Sequence, residues 1–151
     1  MEQAVSARAP AHLWIVGILS FLWGCMGAYD YLMTRMHNLA YLATSMPGVD
    51  PVVGLAWIEN MPLYGQIGWG LGVWGGLLGA VLLLLRSRYA VWAYAASMVG
   101  IVLCIGYQLA LAPALPGAEG AMYKVFPSLI IVLGIFMLWY SWRMDQKGVL
   151  R

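Results

Sequence analysis

Residues 63–85 read LYGQIGWGLGVWGGLLGAVLLLL, without one Asp, Glu, Lys or Arg. As a helix this stretch is about 34 Å long, enough to cross the roughly 30 Å of hydrocarbon in a bilayer. Gly68, Gly72 and Gly76 recur every four residues, so they share one helical face. In water so many glycines weaken a helix by about 1 kcal/mol each relative to alanine. In lipid the same small residues let two backbones approach and make contact where no hydrophobic drive exists. The stretch therefore predicts a transmembrane helix with a packing face.

Three further apolar runs lie outside it, at His12–Met33, Tyr89–Ala112 and Met122–Trp142. Each is long enough to span, and each lacks the ~10-residue dyad alternation of a membrane barrel strand. Helices satisfy their own backbone hydrogen bonds in lipid, so the expected fold is an all-α, four-transmembrane-helix bundle. Composition agrees. Of the 151 residues, 63% are hydrophobic and 9% are charged, against about 25% charged in an ordinary globular domain. Mean hydropathy is +0.79. The chain reads as one integral membrane domain over residues 1–151, with short loops and no separate soluble unit.

Flanking charge sets an orientation. With both termini in the cytoplasm, the inner segments hold Arg8, Arg86, Arg88, Arg143, Lys147 and Arg151, and the outer loops hold Arg35 and Lys124. That excess of basic residues favours both termini inside. Trp14, Trp69, Trp139, Tyr140 and Trp142 fall near the expected interfaces, as an aromatic belt does. The first run is expected to be retained, because Trp23 stands where a lipoprotein cleavage site needs a small residue and no A-x-A follows nearby.

Among the connections, Thr34–Pro62 is the longest. Asp50-Pro51 gives an N-cap with proline at the first helical position, and the apolar residues after it predict a short amphipathic helix that lies along the membrane surface or tucks over the bundle mouth. Arg86-Ser87-Arg88 is a tight turn that makes spans two and three antiparallel neighbours. Gly17, Gly24 and Gly27 in span one and Gly100 in span three complete a set of small faces with Gly68, Gly72 and Gly76. Packing within the chain is the expected use, and a homo-oligomer interface or thin-walled pore is the alternative. Pro127 removes one backbone donor near the start of span four.

Several functions find no footing. A net charge of +2 with no Lys/Arg-rich run speaks against nucleic acid as a partner. Cys25 and Cys104 form no CxxC pair and sit near no histidine cluster, so no metal or other cofactor is expected. His12 and His37 lie at opposite ends of span one, and no nucleophile elbow, P-loop or Rossmann glycine pattern occurs. The chain reads as a non-enzyme. What polarity it has gathers at one depth: Asp30 and Tyr31, Gln66, Tyr107 and Gln108, and Lys124 all fall at the outer ends of their spans. A carboxylate there is costly without water, a cation or donors. Arg35 and Lys124 are the available cations for Asp30, with Gln66 and Tyr107 as candidate donors; a shallow pocket open to the outside is one reading, for an Asp30 that faces the bundle, and an interfacial aspartate wetted by headgroup water is the other.

The runs His12–Gly17, Gly27–Thr34, Gly72–Gly76 and Leu82–Arg86, with the ending Gly148–Arg151, resemble a family of small four-helix bacterial inner-membrane proteins that often carry the label "sugar transporter". The resemblance covers most of the chain. It implies a multi-pass protein of the bacterial inner membrane and nudges the reading toward transport. That family has Trp-Asn in span one where this chain has Trp23-Gly24, so a polar contact open to relatives is missing here. The expected function is to bind or pass a small polar solute, as an oligomer in the lipid bilayer. The alternative is an accessory or structural subunit of a larger membrane complex.

Overall fold

In the computed structural model, residues 9–151 are described; Arg8, one of the charges used for orientation, lies outside them. Six helices follow in order: α1 (Ala11–Arg35), α2 (Leu39–Ser45), α3 (Pro51–Glu59), α4 (Leu63–Leu84), α5 (Tyr89–Ala110) and α6 (Met122–Gln146). No strand occurs among the described residues. α1, α4, α5 and α6 are long and apolar enough to cross a membrane. The chain is a four-span helical membrane protein. Its spans start within a residue of the sequence-based limits, and α6 continues past Trp142 to Gln146.

α4 and α5 form the centre. A side-chain carbon on Gly68 would meet Gly100 O and Leu103 Cβ at 2.8 Å, and one on Gly75 would meet Ser97 at 3.1 Å. One on Gly79 would meet the Tyr94 ring at 2.9 Å. The partners run down in number as the glycines run up, which is the register of antiparallel helices in backbone contact. Ser97 Oγ crosses the seam to donate to Gly72 O at 2.7 Å. Such a bond satisfies a hydroxyl that lipid cannot.

α1 packs on the other flank of α4, where Leu84 fills the space at Gly17 and Leu77 the space at Gly24. α6 packs on α5. It is the least buried span and α5 the most. Ring contact between Trp23 and Phe126 and a hydrogen bond between His12 Nδ1 and the Tyr140 hydroxyl bring α1 and α6 together as well. Tyr140 is thus a buried core residue rather than a belt aromatic, because its hydroxyl finds an internal partner. Trp14, Trp139 and Trp142 remain about half exposed, as belt residues do.

The largest cluster of buried residues lies at the end that carries the chain termini, here the terminal rim. Leu13, Leu83, Tyr94, Met137 and Met144 meet there. After α6 the chain turns at Gly148 and returns across the α4–α5 turn. Arg151 N donates to Arg86 O at 2.6 Å and Arg88 N to Arg151 O at 2.8 Å. Val149 and Leu150 are buried under this pairing. Arg86 adopts a positive φ of 59° to make the tight turn.

The opposite end, the cap rim, carries two short helices where one was expected. α3 begins as the sequence indicates, with Asp50 Oδ1 accepting the N–H groups of Val52 and Val53 at 2.9 and 3.1 Å. The additional α2 is capped by Asn38, whose Oδ1 accepts Tyr41 N–H at 3.0 Å. The cap is fastened to the α5–α6 connection. Trp57 Nε1 donates to Pro113 O at 2.8 Å and the Tyr123 hydroxyl to Pro47 O at 2.9 Å. Gly48 and Gly117, with φ of 89° and 84°, face each other there so closely that neither has room for a side chain.

Candidate functional site

The polar residues singled out from sequence all lie on the cap rim, but they form separate groups. Asp30, in the last turns of α1, meets neither Arg35 nor Lys124. Its Oδ1 accepts the Tyr41 hydroxyl of α2 at 2.9 Å. A short helix one turn away supplies the donor, and no flexible cation need be ordered. Tyr29 stacks edge-on against Tyr41, with ring centroids 5.4 Å apart. Thr34 Oγ1 donates to the Asp30 carbonyl at 2.8 Å.

A second group joins α1 to α4. The Arg35 guanidinium lies 5.4 Å from the Tyr31 ring centroid and 5.3 Å from that of Trp69. Tyr31 and Trp69 are themselves edge-to-face at 4.6 Å, and Trp74 adjoins Tyr31 at 6.1 Å. Arg35 Nη1 donates to Gln66 Oε1 at 3.2 Å. The Gln66 amide then turns its Nε2 to the carbonyls of Glu59 and Met61, at 3.0 and 2.9 Å. Gln66 thereby couples α4 to the end of α3 while it aims Arg35. The His37–Glu59 pair at 2.8 Å adds a second, exposed tie between α1 and α3. His37 itself sits at φ 55°, in the turn that follows α1.

Tyr107, Gln108 and Lys124 stand apart from these groups. Tyr107 packs edge-on to Tyr64 at 6.0 Å, and Gln108 Nε2 reaches Cys104 Sγ at 3.5 Å, one turn back on its own helix. Lys124 is exposed at the start of α6, and among the described residues nothing pairs with its ammonium. No set of three or more His, Cys, Asp or Glu close enough to share a metal occurs among the described residues.

Two participants escaped the sequence reading. Trp69 was placed in the belt, yet it forms one wall beside Arg35. Tyr41 was not singled out, although Asn38 three residues before it is an N-cap residue and marks the helix that carries it. Shielding from water, the hydrogen bond to Asp30 and the neighbouring charge push the Tyr41 hydroxyl from its ordinary 10.0 up to about 12. Its contribution to the folded cap is therefore complete below pH 10 and is lost as pH rises through 12. In a titration of tyrosinate absorbance in detergent, Tyr41→Phe should remove one tyrosine's worth of the absorbance that rises near pH 12. The same variant should speed amide exchange in α2 about fivefold, the equivalent of ~1 kcal/mol for one hydrogen bond.

Two shallow grooves of about 330 Å³ each lie on the other side of the molecule, between α5 and α6. One is lined by Met98, Val99, Val102, Leu103 and Leu138, with only Ala95 added, and the other includes Trp139 and Trp142. Both are apolar. Comparison of the chain with protein-family profiles, with curated proteins and with solved structures finds no match in any of the three.

Proposed function

We propose that this membrane protein binds a small polar solute at the cap rim and passes it across the bilayer as an oligomer, without catalysing a reaction. The observation that carries the reading is the convergence of Tyr31, Arg35, Gln66 and Trp69. The Arg35 side chain is exposed, and among the described residues one of its five N–H donors is engaged, by Gln66. Two aromatic rings beside those donors offer both a stacking face and hydrogen bonds, which is what a small polar ring or a carboxylate-bearing solute needs. Asp30 with Tyr41 lies one residue from Tyr31 along α1 and anchors the cap that borders this place.

Packing within the chain supports the oligomer reading. The α4–α5 seam is closed by close contact from Gly68 to Gly79, with backbone from Gly68 to Gly75 and with the Tyr94 ring at Gly79, and side chains of α4 fill the small-residue face of α1. A path for a solute then needs walls from more than one copy. With the charge bias of the terminal segments, we place both termini in the cytoplasm and the cap rim outside. The resemblance to small bacterial inner-membrane proteins labelled as transporters supports the same membrane.

The test is uptake of glucose, glycerol and acetate into vesicles reconstituted with the protein. Arg35→Gln should lower uptake of the accepted probe at least about tenfold, since it removes a charged donor. Asp30→Asn, which keeps a hydrogen bond to Tyr41, should lower it less. Equal uptake by the wild type and by protein-free vesicles, for every probe, would defeat the transport reading. The apolar α5–α6 grooves favour a second reading, an accessory subunit seated against other membrane helices. Purification in mild detergent separates the two: a homo-oligomer fits the first, and constant co-purifying chains fit the second.

A further inference from the structure

The terminal rim has the opposite charge pattern to the cap rim. Among the described residues it holds Arg86, Arg88, Arg143, Lys147 and Arg151 against Asp145 alone. The cap rim holds Arg35 and Lys124 against Asp30, Asp50, Glu59 and Glu119. The backbones of two of the terminal-rim basic residues are neighbours, through the pairing of Arg88 N with Arg151 O at 2.8 Å and of Arg151 N with Arg86 O at 2.6 Å. Arg86 is committed to holding the tail, since its Nε donates to Val149 O at 3.1 Å. The guanidinium groups of Arg88 and Arg151 are exposed and pair with nothing among the described residues. Val149 and Leu150, the two residues before Arg151, are buried and tie the tail to the bundle.

We propose that Arg88 and Arg151 bind the phosphate of an anionic phospholipid in the adjoining leaflet. A guanidinium offers planar pairs of N–H donors that match phosphate oxygens, and two of them can grip one headgroup. Arg143, 5.8 Å over the half-exposed Trp139 ring, and Lys147 add to the attracting field. The surface next to Arg88 favours a lipid over free phosphate as the source. Leu85, Tyr89 and Trp92 are 71%, 66% and 74% exposed there, and they give the acyl chains a wall directly below the headgroup. This site is independent of the solute site, which lies on the other rim.

The full-length protein in mild detergent, with phosphatidylglycerol and phosphatidylcholine added in equal amounts, gives the test by native mass spectrometry. Wild type should retain phosphatidylglycerol on the order of tenfold over phosphatidylcholine. Arg88→Gln with Arg151→Gln should abolish the preference, Arg88→Lys with Arg151→Lys should restore part of it, since charge returns without the planar donor pairs, and Lys124→Gln on the opposite rim should leave it intact. The lysine pair keeps the charge at both places, so its recovery separates lost binding from lost folding. Equal retention of the two lipids by wild type, or full preference in the glutamine pair, would overturn the proposal. Displacement of the lipid by millimolar inorganic phosphate would overturn it too, since the site would then hold the phosphate group whatever carries it.

Discussion

Gly100→Ala is expected to destabilise the bundle by about 3 kcal/mol or more, while Gly106→Ala on the same helix leaves it unchanged or slightly more stable. At Gly100 a new carbon runs into the backbone of α4 at Gly68 and Gly72. Backbone atoms cannot rotate away, so the two helices must separate along their length and give up Ser97 Oγ to Gly72 O with them. At Gly106 a new carbon meets nothing within 4 Å, and the substitution only stiffens the helix. Gly17→Ala falls between the two, because the atoms it meets belong to the flexible tip of Leu84. Thermal unfolding in one detergent, read on all three variants, orders them. A Gly100→Ala protein that melts with the wild type would show that α4 and α5 do not pack through this face.

Leu150→Ala should cost about 2–4 kcal/mol, the range for emptying a buried leucine site. Leu150 is one of the few residues that close the core at the terminal rim, together with Leu13, Leu83 and Met144. Its loss leaves a cavity and also frees the strand of tail that pairs with Arg86 and Arg88. Loss of stability by the α4–α5 turn should therefore accompany it, visible as faster amide exchange at Arg88. The cap rim is a membrane's width away. Combined with Tyr41→Phe the effects should add, since the two sites share no contacts. A double variant markedly less stable than that sum would mean that the two ends are coupled through the spans.

The spans were legible because lipid imposes one rule on the whole chain: a stretch with no charge and the length of the hydrocarbon must be a helix. The glycine face of α4 was legible for the same reason, since spacing by four puts small residues in line whatever the partner. Asp50-Pro51 marked the start of α3 through local chemistry alone. The partners on the cap rim were not legible. Asp30 had two cations within reach along the sequence, and the bond went to Tyr41, whose position depends on a seven-residue helix too short to show a periodic signal. Tyr140 reads as an interface aromatic by position, and the approach of His12 and of the apolar cluster around Leu13 and Leu83 from other spans makes it a core residue. Gln108 and Lys124 share a depth with Gln66, but α5 and α6 carry them to other flanks of the bundle. Depth in a membrane follows from sequence; which flank a residue occupies follows from packing.

The solute site depends on four crossings with the cap rim outside. Single cysteines at Asp50, Glu119 and Lys147, in a background with Cys25 and Cys104 replaced by alanine, test this with a membrane-impermeant thiol reagent on intact bacterial cells. Cysteines at 50 and 119 should react in intact cells, and the one at 147 only after the membrane is opened. Labelling at 147 in intact cells, or a different side for 50 and 119, would contradict the crossings and the orientation on which the solute site depends.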